Sequence, residues 1–247
     1  MNAVYLGSAS LGLGRDYYQK DSPKNTETIE EYKKYVAQVL TEIGYKNSAV
    51  VAGQIVDFEK TIAKTYLTNE QIRDANLQYN PKTLAELKTL VKSVDLPKYL
   101  AEVGVKTDKV IIGELGYYKN LDTFLTEKNI PLIKVYLKFN LVSGSAGYLD
   151  QKLDDMKFNF YSKYLQGQQE QRALNKRALG LINGVVGEAF GKVYVEKFFT
   201  PEAKAQMLTY VDYLKKSFAV HINRLTWMSS VTKTKALEKL NKFTVKI

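Results

Sequence analysis

Residues 180–199 read GLINGVVGEAFGKVYVEKFF, and Gly180, Gly184, Gly187 and Gly191 recur in it at spacings of four, three and four. At about 100° per residue, that spacing places all four within roughly 60° of one helix face. Each glycine in a helix interior costs roughly 0.5–1 kcal/mol relative to alanine, so the four together sacrifice on the order of 2–4 kcal/mol. A fold that carries this stretch as helix must offset that cost elsewhere. Ala178, Leu181, Ile182, Val185, Ala189, Phe190 and Val193 form a wide apolar face on the other side. The expectation is a central helix, buried by large residues on one side and approached closely by a second backbone along its glycine ridge. Packing is the reading this pattern favours. A glycine helix gripping a ligand is the alternative, but no phosphate-binding glycine loop precedes it.

The rest of the chain supports a helical protein. Only 5 prolines interrupt 247 residues, and long segments repeat apolar residues at three and four. A hydrophobic content of 45% with 25% charged residues is that of an ordinary globular chain long enough to bury a real core. Tyrosine is abundant, at 18. The net charge of +10, from 36 Lys and Arg against 26 Asp and Glu, raises nucleic acid, anionic membrane or an acidic partner. The lysines are scattered singly or in pairs without an arginine-rich run, so a solvated basic surface is favoured and nucleic-acid binding disfavoured. With no cysteine, a disulfide scaffold and a thiolate metal site are excluded. No apolar run of eighteen residues spans a membrane.

In order, Val4 and its neighbours suggest a short strand, and Gly12, Gly14, Arg15 and Asp16 mark residues 7–24 as a loop closed by Ser22-Pro23. Ile29, Tyr32, Val36, Val39, Leu40 and Ile43 then predict an amphipathic helix stopped at Gly44. A second is predicted over Ser48 to Tyr66, with Val51, Ile55, Phe58 and Ile62 on one stripe. Thr68 with Gln71, and Asn80-Pro81 or Thr83 with Glu86, signal short helices, and Asp95 with Pro97 another. Lys109 to Ile112 is the best strand candidate, either paired with the residues near Val4 or extended across a helical surface. Further helices are predicted around Leu121 to Lys128, from Pro131 through Leu149, after Thr200-Pro201, and from Ser229 or Ser230 to Asn241, while Leu153 to Leu165 reads as helix or loop. The fold class is therefore all-α, with at most one or two short strands, taken as a single domain over 1–247: an opening strand and loop (1–24) followed by helices (25–247).

Chemistry is hard to find in the residues themselves. His221 is the only histidine and sits on the apolar stripe defined by Phe218 and Leu225, where a packed histidine is favoured over a ligand. Zinc needs three or four converging ligands, which one histidine and no cysteine do not supply in the usual sets. No serine sits in a nucleophile-elbow context for a Ser-His-Asp arrangement. Asp154-Asp155 and Glu30-Glu31 read as solvated charge.

Four segments, in order, resemble the amino-terminal region of the neprilysin family of zinc metallopeptidases. They are Leu11-Gly12-Leu13-Gly14-Arg15-Asp16-Tyr17-Tyr18; Arg73-Asp74 with Tyr79-Asn80 and Leu84; Gly187 to Glu196; and Leu225-Thr226-Trp227-Met228 followed by Thr232-Lys233 and Ala236. The match spans nearly the whole chain. The resemblance implies a mostly helical, substrate-enclosing cap over a thermolysin-like catalytic lobe of the same polypeptide, acting on peptide substrates. That lobe's H-E-x-x-H helix, zinc and catalytic glutamate are not in this sequence, which implies an excised N-terminal portion, inactive by itself, with zinc expected only in the full-length enzyme. It further implies a location outside the cytoplasm, and the lack of cysteine looks like a bacterial member. In some members an arginine immediately before the Leu-Gly-Leu segment grips the substrate's terminal carboxylate. Here that residue is Ser10, and Arg15 nearby is the substitute candidate, with a structural salt bridge as its favoured role. A free-standing, non-catalytic helical module that binds peptides or proteins is the rival reading.

Overall fold

The computed structural model describes residues 3–247. They separate into two compact units, Met1–Gln171 and Arg172–Ile247.

In the first unit, helix begins earlier than expected. Within the predicted loop, Arg15–Gln19 forms a short helix α1 that buries Tyr18. α2 (Pro23–Glu42) starts as the Ser22-Pro23 pair dictates: the Ser22 hydroxyl accepts from the Asn25 amide at 3.1 Å and Pro23 occupies the first turn, where its missing N–H costs nothing. It buries Tyr32, Tyr35, Val36, Val39 and Leu40 and ends at Gly44, whose φ of 90° suits glycine. α3 (Ser48–Ala63) packs against it and buries Ala52, Ile55, Val56, Glu59 and Ile62.

A three-stranded sheet follows. β1 (Tyr5–Leu6) runs parallel to β3 (Lys109–Ile112), with Tyr5 opposite Ile111, and β2 (Asn80–Thr83) pairs antiparallel on the other edge of β3, with Asn80 opposite Ile112. Of the two arrangements open to Lys109–Ile112, the structure takes the pairing with the residues near Val4. The third strand is not: Asn80-Pro81 reads as a helix start, but the start signal that operates is Thr83 with Glu86. Thr83 Oγ1 accepts from the Glu86 amide at 3.2 Å and Glu86 Oε2 from the Thr83 amide at 2.8 Å, so the residues before Thr83 remain extended. Pro81, lacking an N–H, sits on an edge strand where none is required.

Before β2, the Thr68–Gln71 signal gives a 3₁₀ turn (Gln71–Arg73) and a one-turn helix α4 (Ala75–Gln78). α5 (Leu84–Leu90) and α6 (Leu96–Glu102) lead to β3. α7 (Leu115–Phe124) starts six residues before the predicted Leu121 and ends before Lys128. α8 (Ile130–Ser145), α9 (Gln151–Lys157) and a π-helical stretch (Phe158–Tyr164) complete the unit. One core joins α1, α2, α3, α8, α9 and the π stretch around Tyr32, Tyr35, Phe139 and Phe160. A second lies around β3, from Ile62 and Leu87 to Val110, Ile112 and Leu121. Phe58, on α3, packs against both.

The second unit contains α10 (Leu174–Phe198), α11 (Pro201–Arg224) and α12 (Ser230–Asn241). Thr200 caps α11 as predicted, its hydroxyl accepting from Ala203 at 3.2 Å with Pro201 next. The expected central helix is not observed. No residue of α10, α11 or α12 is buried. α10 also breaks at Val186 (φ −129°, ψ 23°), between Gly184 and Gly187, so the four glycines do not share one continuous helix face. A β-branched residue flanked by glycines is where helix propensity is weakest. Leu181, Ile182, Val185 and Phe190, predicted to be buried, are exposed, as is His221, predicted to be packed.

The glycines therefore differ in what they do. A Cβ on Gly116 would stand 2.3 Å from the Thr65 carbonyl oxygen, whereas none of the α10 glycines would meet an atom within 4 Å. Gly116→Ala is expected to cost about 1–3 kcal/mol through overpacking. Gly184→Ala in the same chain is expected to add about 0.5–1 kcal/mol to local helix stability. Denaturant melts and helical circular dichroism of the two variants check this opposition.

Candidate functional site

The segment from Gly7 to Gly14, between β1 and α1, is held from behind by tyrosine hydroxyls. Tyr118, on α7, donates to the Gly7 carbonyl at 2.7 Å. Tyr66, just beyond α3, donates to the Ala9 carbonyl. Tyr136, on α8, lies 3.1 Å from the Ser10 carbonyl, and Tyr161, on the π stretch, donates to the Gly12 carbonyl at 3.0 Å. Tyr18, on α1, accepts from the Leu13 amide at 3.2 Å. Elements far apart in sequence thus converge on one irregular stretch that no ladder of a helix or sheet supports. Its buried backbone groups must find side-chain partners, and tyrosine supplies a hydroxyl at the end of a ring that packs in the core.

At the centre is Glu59, fully buried on α3. Its Oε1 accepts from the Gly12 amide at 2.9 Å, from Tyr136 at 2.9 Å and from Tyr32 at 3.3 Å, and its Oε2 accepts from Tyr18 at 2.7 Å. Among the described residues it has no ion-pair partner, so neutral donors alone compensate its desolvation. Burial outweighs those donors and raises the carboxyl above the ordinary glutamate value. Burial beside this carboxylate raises Tyr18, Tyr32 and Tyr136 far above the ordinary phenol value. Packing fixes the rings: Phe160 lies 5.5 Å from Tyr32 and Phe58 5.9 Å from Tyr136. Gly12 is required here, because a Cβ would fall 1.7 Å from the Tyr32 hydroxyl oxygen.

Arg15 and Ser10, the two candidates from the sequence, belong to this region, whereas His221 lies in the second unit. Arg15 Nη1 contacts Glu114 Oε1 at 2.7 Å and the Leu67 carbonyl, and its guanidinium lies over the Tyr66 ring at 5.4 Å. The other Glu114 oxygen accepts from the Leu67 amide at 2.8 Å. Arg15 thus carries a salt bridge that ties α1 to the ends of α3 and β3. Ser10 is exposed, with only its carbonyl turned toward Tyr136. Glu59 was overlooked in the sequence, although the signal was there. It stands four residues after Ile55 and three before Ile62, a charged residue on an apolar stripe. Among the described residues no three His, Cys, Asp or Glu side chains gather as a metal would require. These residues therefore offer zinc no ligand set.

A family model described as peptidase family M13, its N-terminal part, matches residues 1–247. The chain belongs to this peptidase family. The chain is 26% identical to the neutral endopeptidase of Lactococcus lactis over 244 residues, covering 97% of this chain and 39% of that protein. It is 24% identical to human endothelin-converting enzyme 1, covering 96% of this chain and 32% of that one. The inhibitor complex of zinc metalloprotease ZMP1 from Mycobacterium tuberculosis superposes with a TM-score of 0.83 at 28% identity, over 98% of this chain and 37% of that chain. The chain thus spans about two-fifths or less of the length of these relatives, and corresponds to the N-terminal portion of the family. The neprilysin resemblance read from the four segments agrees with this assignment. No helix of the described residues is long and apolar enough to cross a membrane.

Two stability effects follow from the geometry. Arg15→Ala leaves Glu114 nearly buried with one fewer donor and is expected to cost about 1–3 kcal/mol. Arg15→Lys, which cannot reproduce the planar fork, is expected to recover only part of that loss in urea melts. Glu59 has a raised folded-state value, so folding is favoured by this group most fully below the ordinary value of 4.5. That contribution is lost as pH rises through the raised value. The stability difference between the parent and Glu59→Gln, measured by urea melts across pH, is therefore expected to move in favour of Gln as pH rises.

Proposed function

We propose that residues 1–247 are the substrate-enclosing cap of a zinc-dependent metalloendopeptidase that hydrolyses peptides. In this reading the zinc-bearing lobe lies in further polypeptide, and the 247 residues are inactive by themselves. The observation that carries it is the family match over the whole chain together with relatives that are more than twice as long. Exposed apolar side chains support it. On α10, Leu181, Val185, Phe190 and Phe198 are 44%, 74%, 45% and 69% exposed. Exposed large apolar side chains are what an interaction surface would carry, and a catalytic lobe of the same polypeptide is the partner this reading assigns. Zinc is the cofactor of that lobe, and a location outside the cytoplasm goes with the family.

Within this reading the exposed edge of the Gly7–Gly14 segment, at Ser10, faces the peptide. Arg15 is already engaged by Glu114 and the Leu67 carbonyl. With a serine at position 10, a strong requirement for a free substrate C-terminus is not expected.

The test is to read the source coding DNA downstream of the Ile247 codon and express the product alongside the 247-residue chain. An open frame encoding H-E-x-x-H, with chelator-sensitive peptidase activity in the long product and none in the short one, is the expected result. A stop codon after Ile247, with peptide binding but no hydrolysis, would overturn the cap reading in favour of a free-standing binding module.

A further inference from the structure

One hydroxyl in the Glu59 cluster has two acceptors and only one hydrogen to give. Tyr136 Oη lies 2.9 Å from Glu59 Oε1 and 3.1 Å from the Ser10 carbonyl oxygen. The ionised carboxylate already receives four donors, three of them on Oε1. A proton added to Glu59 turns one of its oxygens from acceptor into donor, so one of the surrounding hydroxyls must turn round and accept. The backbone group on Tyr18 is the Leu13 amide, a donor, so a hydrogen turned away from Glu59 finds no backbone acceptor there. Of the three tyrosines on Glu59, Tyr136 is the one with a backbone carbonyl of the Gly7–Gly14 segment within hydrogen-bond distance.

We propose that Glu59, Tyr136 and the Ser10 carbonyl form a proton-sensitive latch on this segment. With Glu59 ionised, the Tyr136 hydroxyl donates to Oε1 and the Ser10 carbonyl is without that donor. With Glu59 protonated at Oε1, the carboxyl donates to Tyr136 Oη, and the tyrosine hydrogen rotates to the Ser10 oxygen. No covalent bond of the tyrosine breaks, the added proton stays on the carboxyl, and Tyr136 passes from donating to Oε1 alone to accepting from the carboxyl while donating to the Ser10 oxygen. Acid therefore pins the backbone at Ser10, and neutral pH frees it.

The groups that face Glu59 do not compete for this titration. Tyr18 from α1, Tyr32 from α2, Tyr136 from α8 and Tyr161 from the π stretch surround it, and all four are raised above the ordinary phenol value by burial. They keep their hydrogens throughout the range in which a carboxyl titrates. The latch is a property of the first unit, so it stands or falls independently of the peptidase reading.

Ser10-Leu11 is the only Ser-Leu step in the sequence. Labelling with ¹³C-carbonyl serine and ¹⁵N-leucine therefore gives a single amide–carbonyl correlation that reports the Ser10 carbonyl. In the 247-residue chain, the Ser10 carbonyl signal is expected to move downfield as pH falls from about 8 to about 4, with a midpoint above the ordinary glutamate value. The movement is expected to vanish in Tyr136→Phe and in Glu59→Gln. It is expected to persist in Tyr161→Phe, which removes a neighbouring strap but leaves the relay whole. A parent signal that does not titrate would overturn the latch, as would one that titrates unchanged in Tyr136→Phe. Should Glu59→Gln fail to fold, the Tyr136→Phe and Tyr161→Phe pair decides the question alone.

Discussion

A carboxylate buried without a cation sets the terms for the first unit. Glu59 is removed from water on α3, and its desolvation is offset only by an amide and three phenolic hydroxyls. Each donor arrives from a different part of the chain, so the carboxylate can be satisfied only when α1, α2, α8 and the segment before α1 are all in place. Apolar packing tolerates small shifts among these helices, but a buried carboxylate does not, because a donor displaced by an ångström leaves a charge exposed to a low dielectric. The network therefore converts a cluster of amphipathic helices into one register. It also accounts for the burial of Tyr18, Tyr32 and Tyr136, whose hydroxyls it pairs.

The same requirement shapes the Gly7–Gly14 segment. An irregular backbone pressed against a core cannot satisfy its own polar groups, and here tyrosine hydroxyls and Glu59 do so on the inner side while Ser10 stays open to solvent. Arg15 and Glu114 close the end of the segment by joining α1 to the backbone at Leu67 and to the residues after β3. A rigid stretch fixed from behind and open in front is suited to meeting another molecule, since ordering costs are met before contact. That argument concerns stiffness, and it applies whether the molecule met is a peptide or another part of a longer polypeptide.

What the sequence disclosed was local. Thr200-Pro201 acts where its spacing predicts, Thr83 with Glu86 is the one of two competing signals that operates, and Ser22-Pro23, which closes the opening loop, also caps α2, because capping depends on residues within one turn of each other. The period of α2 and α3 and the strand at Lys109–Ile112 were legible for the same reason: each is written in a run of adjacent residues. The short α1 and the strand at Asn80–Thr83 were missed. α1 was hidden by two glycines, and the strand exists only because β3 offers an edge almost thirty residues away. The candidate residues divide along the same line. Arg15 was legible as a salt-bridge former, but its partner Glu114 was not, and Glu59 draws its meaning from Gly12, Tyr18, Tyr32 and Tyr136, which the sequence scatters across much of the first unit.

The glycine helix carries the argument one step further. Its spacing asks for a close neighbour, and in the described residues of α10 that neighbour is absent while Val186 interrupts the helix at the ridge itself. Four glycines lower the stability of a helix whether or not anything packs on it, so without a covering surface they are cost alone. The exposed apolar residues of α10 add a second cost, apolar surface left in water. The kink falls where an uncovered glycine helix is weakest.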